Sequence, residues 1–261
     1  MQLIELIDIT NNLFYNDSPS YKVIASKQNE LLTILKPTMD IKKINYKTIE
    51  KIIQVYKAKN NSPATINSKL AYISKILNYA YKVNLIPSKP YTPTLREPEP
   101  KEKYLTKAEK VQMLLWCKNN KQKELAKIIL IGLYTGLRIN NILSLNDSMY
   151  REGNLYIYDK KTKKNYIIPV KNKIKYIITN LKGFNISYNQ CYYIFSLMKK
   201  DLQLDDNITI HTLRHTFGSD LVQQNITLPV IQALMNHRKI TTTMKYTHLN
   251  TAQLSNAINV L

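Results

Sequence analysis

Between residues 62 and 83, apolar side chains recur at Ile66, Leu70, Ile73, Leu77 and Ala80, with lysines off that stripe. Alternating steps of four and three place them on one face of a helix. Ser62 suits the N-cap and Pro63 the first helical position. Looser helical patterns over 4–15, 21–36 and 47–59 predict a four-helix bundle in all. Five of the ten prolines then fall between Pro87 and Pro100, in IPSKPYTPTLREPEPKEKY. Proline at that density forbids helix and central strand and leaves a stiff extended connection. The pattern divides the chain into a helical domain over 1–88, a Pro-rich linker over 89–103 and a larger domain over 104–261.

Beyond the linker, Thr106 and Glu109 form a capping box that opens a helix reaching about Lys118. Residues 123–134 are apolar on most sides, which predicts a buried helix. It ends at Thr135-Gly136, and INNILSL begins another short helix. NLYIYD (154–159) and NYIIPV (165–170) read as two strands of a hairpin whose turn, KKTKK, is a dense cationic tip. Further helices are expected at 172–182, at 187–201, after Thr209, and from Thr227 to Asn236. Tyr246 falls on one more short helical segment. The fold class is therefore mainly α, with a small β-hairpin or sheet in the C-terminal domain.

The formal net charge of +20 makes nucleic acid the first partner to consider. A membrane is not expected, because the longest apolar run, IILIGLY at 128–134, is far too short to span a bilayer. Cys117 and Cys191 lie far apart without metal or redox spacing, which predicts two small apolar core residues in a reducing compartment. The start MQLIELIDIT has no secretory pattern, so a cytoplasmic location is expected, with no arm-binding module ahead of the small domain.

Lysine accounts for 33 of the basic residues and arginine for five, and the first 210 residues contain no histidine. All four histidines follow, beginning with ITIHTLRHTFGSD at 208–220. A Thr209 cap would set His211 and Arg214 on one face near a helix start, where backbone N–H groups also favour an anion. The same pair could equally be an ordinary polar surface. A metal on His211 and His215 lacks a third ligand, and Arg214 between them repels a cation, so no metal or other cofactor is expected. In TGLRINNILSL, Arg138 follows the turn that ends a buried helix. It needs an anionic partner, either Asp147 within the protein or a ligand. His237 lies just past a helix whose end at Asn236 tolerates the left-handed conformation. Tyr246 follows nine residues later.

As an ordered set these segments resemble the tyrosine recombinase (phage integrase) family. TGLRxxxILxL supplies its first arginine, Arg138. HTLRH supplies the His-x-x-Arg pair, His211 and Arg214. LMNH and TTMKYTHL supply the second histidine, His237, and the nucleophile, Tyr246. KKTKKNYIIPV is similar to the family's β-hairpin lysine segment and points to Lys161, with Lys160 or Lys163 as the alternatives in a shifted register. SPATINSKLAYISKILNYAYKVNLIP is similar to its helical core-binding domain. Two positions depart from the pattern. Asn141 stands where an acid is usual and cannot supply a negative charge to tune Lys161 or His211. Asn236 replaces a common glycine. His215 and His248 match frequent family positions and are expected to support the fold.

The resemblance implies a two-domain clamp around double-stranded DNA that cleaves and rejoins strands through a 3′-phosphotyrosyl link, without metal or ATP. Arg138, Arg214 and His237 would hold the phosphate. Tyr246 would attack, His211 would accept or relay its proton, and Lys161 would protonate the leaving oxygen. It further implies a homotetramer on synapsed DNA, with the C-terminal LSNAINVL docking in trans through Leu254, Ile258 and Leu261. Two other readings share the residues: a catalytically idle DNA-binding or regulatory protein, and a topoisomerase IB-like relaxing enzyme.

Overall fold

The stripe over residues 66–80 forms a helix from Pro63 to Lys82, begun by Ser62, whose hydroxyl accepts from the Thr65 N–H at 3.3 Å. In the computed structural model, which describes residues 1–18, 21–98, 103–159, 164–244 and 246, this is the fourth helix, α4. It follows α1 (Leu3–Phe14), α2 (Tyr21–Ile34) and α3 (Tyr46–Ala58). Ile66, Leu70, Ile73, Leu77 and Ala80 are all buried, against Leu3 and Leu6 of α1, Leu31 of α2 and Ile49 and Ile52 of α3. Burying a side chain of this size contributes roughly 1.5–3 kcal/mol, so this apolar face outweighs the helix's own propensity.

The chain divides into two compact units, Met1–Pro100 and Lys101–Leu261, a division that falls inside the segment 89–103 read as linker. Much of the Pro-rich stretch is fastened to the first unit. The Asn67 side chain donates to the Leu95 carbonyl at 2.9 Å, accepts from the Leu95 N–H at 2.8 Å and donates to Glu97 at 2.7 Å. Leu95 itself packs on that unit's core.

The second unit is built around α6 (Lys123–Thr135), which is packed by α5 (Lys107–Asn119), α7 (Ile139–Leu143), α8 (Asn172–Thr179), α9 (Tyr188–Asp201) and α10 (Ile210–Gln223). The Thr106–Glu109 capping box opens α5 as the sequence predicts. Thr216 of α10 accepts from the Leu105 N–H at 2.9 Å, tying that start to the core. Cys117 and Cys191 lie buried in this core, where loss of solvation pushes both thiols up to about 11.

Three antiparallel strands lie in chain order, β1 (Tyr150–Arg151), β2 (Asn154–Asp159) and β3 (Lys164–Pro169). The two-residue β1 is too short to leave an alternating pattern in the sequence. Register pairs Leu155 with Ile168 and Asp159 with Lys164. The period of two along β2 buries Leu155, Ile157 and Asp159 and leaves Tyr156 and Tyr158 outside. A carboxylate is thereby delivered to the inner face.

Two last helices complete the described chain, α11 (Leu228–Leu234) and α12 (Thr241–Met244). Asn236, just past α11, adopts the left-handed conformation with φ 47°, as its place after a helix end predicts. Tyr246 lies in a turn after α12 rather than on a helix. Among the described residues, no helix is long and apolar enough to cross a membrane.

Candidate active site

Gly136 ends α6 with φ 64°, a left-handed turn that glycine adopts without penalty. A Cβ there would also strike the Phe217 ring at 2.3 Å. The turn throws Arg138 back across the helix ends. Its Nη1 donates to Asp159 at 2.6 Å and its Nη2 to the Asn236 carbonyl at 3.4 Å. Asp159 is only 1% exposed and also accepts from Asn236 Nδ2 at 3.3 Å. The partner of Arg138 therefore comes from β2, not from Asp147. Alternation along NLYIYD was the available signal, since an inward carboxylate beside Leu155 and Ile157 demands a cation.

Arg214 rises from the second turn of α10 and is 3% exposed. Its Nη1 donates to the Gly136 carbonyl at 2.7 Å, and its Nη2 donates to the Met235 carbonyl. The two guanidiniums thus rest on consecutive carbonyls, Met235 and Asn236, immediately before His237. Burial, followed by the neighbouring charge of Arg138, lowers the Arg214 pKa to about 10. That value still leaves Arg214 charged at neutral pH.

His237 is 9% exposed, and its Nδ1 lies 2.9 Å from Thr243 Oγ1. The Tyr246 ring stacks on the His237 ring, with centroids 6.4 Å apart and planes within 11°. Tyr246 is buried against Ile231 and Met235, with Phe217, Leu221 and Val222 around them. Its hydroxyl lies 3.1 Å from Nδ1 of His215. His211, one turn earlier on α10, meets the His215 ring edge-on at 4.8 Å. Gly218 lies under the tyrosine, where a Cβ would come within 2.9 Å of ring atoms Cε2 and Cζ.

His211 and Arg138 also line one cavity of about 560 Å³, together with Asn141, Tyr158, Asp159 and Tyr188. Asn141 donates to the Tyr166 hydroxyl at 3.1 Å. Burial raises the Tyr166 pKa, and the Asn141 hydrogen bond and both arginines oppose that rise. The amide therefore orients a neighbouring phenol within the same charged cluster.

The structure brings Arg138, Arg214, His237 and Tyr246 into one neighbourhood and sets His211 beside it. Lys161, its alternatives Lys160 and Lys163, and His248 lie outside the described residues. Sequence reasoning left out Asp159, Gly218 and Thr243; His215, expected to support the fold, touches the Tyr246 hydroxyl. Spacing alone shows no contact between β2 and the α6–α7 turn, nor between a helix glycine and a residue after α12.

Buried, preorganised donors of this kind bind a singly or doubly charged oxyanion in a site where water screens little. A tyrosine hydroxyl beside them adds a nucleophile.

Residues 170–253 match the profile of the phage integrase family, and residues 3–105 match the phage integrase SAM-like domain. The integrase of Haemophilus phage HP1 is 25% identical over 207 residues, 77% of this chain and 61% of that integrase. The chain thus spans about three fifths of the length of that relative. Among solved structures, the Tn1549 transposon integrase (residues 82–397) in complex with circular intermediate DNA superposes with a TM-score of 0.80. It is 19% identical and covers 99% of both chains. A lambda integrase tetramer bound to a Holliday junction gives a TM-score of 0.79 at 17% identity, covering 92% of this chain and 79% of that one. At these identities the structural likeness is one of fold.

Proposed function

The chain belongs to the phage integrase (tyrosine recombinase) family, and from that premise we propose that it is a site-specific DNA recombinase that cleaves and rejoins strands through a 3′-phosphotyrosyl intermediate. One observation carries the reading. Two guanidiniums are anchored on the consecutive carbonyls of Met235 and Asn236, and the next residue, His237, stacks on Tyr246.

The chemistry follows from those groups. A phosphodiester repels nucleophiles, and its displacement builds charge on the non-bridging oxygens. Arg138 and Arg214 offer flat, rigid forks to those oxygens, which lysine matches poorly. His237 supplies a further hydrogen-bond donor to the same charge. Tyr246 attacks phosphorus while His211 accepts or relays its proton, the Oη–P bond forms, and the bond to the 5′-oxygen breaks. Lys161 protonates that leaving oxygen. One ester replaces another, so the strand is rejoined without nucleotide hydrolysis.

The partner is double-stranded DNA, which the net charge of +20 supports. Four copies act on two synapsed duplexes, with LSNAINVL of one copy docking on the next through Leu254, Ile258 and Leu261. The lambda integrase tetramer bound to a Holliday junction, a protein of the same fold, supports the four-copy assembly.

The test is incubation with nicked duplexes tiled across the DNA that flanks the gene, followed by denaturing electrophoresis. The expected result is a protein–DNA adduct with the native chain and none with Tyr246→Phe. An adduct that survives the substitution contradicts the nucleophile assignment. DNA binding without any adduct favours the idle binder.

A further inference from the structure

We propose that Asp159 is a positioning residue whose carboxylate holds the Arg138 fork in register with the turn before His237, a role that rests on the recombinase reading above. Its Oδ2 accepts from Arg138 Nη1 at 2.6 Å and from Asn236 Nδ2 at 3.3 Å. Arg138 Nη2 closes the triangle on the Asn236 carbonyl at 3.4 Å. The three corners come from the end of β2, the turn after α6 and the turn after α11. His237, next after Asn236, stacks its ring on that of Tyr246. One oxygen thus ties the guanidinium read as holding phosphate to the segment that carries the nucleophile.

A buried acid is a costly way to fill this position. Asp159 is 1% exposed, on the strand face that also buries Leu155 and Ile157. A third aliphatic side chain would pack there without the loss of solvation that a carboxylate suffers. Such a group persists where it is paired and hydrogen-bonded, and Arg138 and Asn236 provide both.

Arg138 gains a fixed direction from the arrangement. Arginine has a long flexible stem, and its flat fork recognises an anion well only when the fork is held. Among the described residues, Asp159 and the Asn236 carbonyl engage one N–H on each terminal nitrogen. The remaining donors of the guanidinium can then turn to an anion. The carboxylate also eases the approach of two like charges. Burial, followed by the charge of Arg138, lowers the Arg214 pKa to about 10, and Asp159 is among the charges that oppose this fall.

A negative charge at this point repels phosphate, so Asp159 does not serve affinity for DNA. Its benefit falls on the geometry in which the fork meets the charge that builds during displacement. Loss of the carboxylate is expected to leave DNA binding equal or tighter while the chemistry slows. A residue needed only for folding would lower both together.

The test uses the full chain and a nicked duplex spanning the position at which the native chain forms its adduct. Asp159→Asn keeps the shape of the side chain, but an amide oxygen holds a guanidinium less firmly than a carboxylate does. In single turnovers with protein in excess, the rate constant reports folded molecules and the amplitude absorbs any that are not. Adduct formation is expected to slow by about 10- to 100-fold, with mobility-shift affinity at least native.

A methylphosphonate at the same position makes the decisive comparison, because a methyl replaces one non-bridging oxygen and removes the negative charge. With that charge gone, the native chain and Asp159→Asn are expected to cleave at rates within about threefold of each other. A native rate for Asp159→Asn on phosphate overturns the proposal. So does an affinity that falls with the rate, or an equal slowing on phosphate and methylphosphonate. Should the Asn variant fail to fold, Asp159→Glu moves the oxygens by one methylene and is expected to show the same dependence on substrate. A native chain that forms no adduct on any duplex contradicts the recombinase reading instead.

Discussion

Gly218 illustrates how much a missing side chain can do. It sits inside α10, where alanine would add up to about 1 kcal/mol of helix propensity. A Cβ there, however, would lie 2.9 Å from two atoms of the Tyr246 ring and 3.1 Å from the Met235 sulfur. On the proposed reading, Gly218→Ala is expected to push the Tyr246 hydroxyl off line and to slow adduct formation on the order of 100-fold, as misplacement by about an ångström does. DNA affinity measured by mobility shift should hold, because the arginine anchors are the backbone carbonyls of Gly136, Met235 and Asn236, whereas the atoms nearest the added Cβ belong to the side chains of Tyr246 and Met235. A variant that reacts at the native rate would show that the seat does not matter. The parts of Arg138, Arg214, His237 and Tyr246 could be suspected from residue type and order alone. Gly218 could not, because the only sign of its role is the ring packed against it.

At the scale of elements, caps and periodicity made most helices readable in the sequence. Ser62-Pro63 and Thr106–Glu109 start α4 and α5 where local chemistry satisfies the first N–H groups. The strand β2 was readable too, but not its consequence. Its last inward residue, Asp159, fastens the turn after α6 through Arg138 and the end of α11 through Asn236. Three segments far apart in sequence meet at one carboxylate, and such a meeting has no local signature. The pair is expected to be energetically coupled. In urea unfolding, Asp159→Asn and Arg138→Met should each destabilise, and the double variant should cost less than their sum by about 0.5–3 kcal/mol. Additive costs would mean that β2 does not anchor Arg138. Asn141, which stands where the family usually carries an acid, does not leave the cluster without a carboxylate, because β2 brings one to Arg138.

At the scale of the whole molecule, the net charge of +20 suits the partner proposed above. On the recombinase reading proposed above, a chain with net charge +20 and 33 lysines would meet DNA first through its phosphates, with little regard to sequence. A complex that neutralises about six phosphates is expected to lose about a thousandfold in affinity between 50 and 200 mM salt. Fluorescence anisotropy with a labelled duplex measures this directly, and a flat salt dependence would contradict phosphate-led binding. The two compact units divide within the Pro-rich stretch, which Asn67 holds to the first unit as far as Glu97. The proposed reaction has Tyr246 bond covalently to DNA beside Arg138 and Arg214. Protease digestion of the adduct, with mass spectrometry of the nucleotide-bearing peptide, tests it most directly. A nucleotide joined through its 3′-phosphate to Tyr246 is the expected result; attachment to any of the other 18 tyrosines, or to serine, would contradict the proposed reaction.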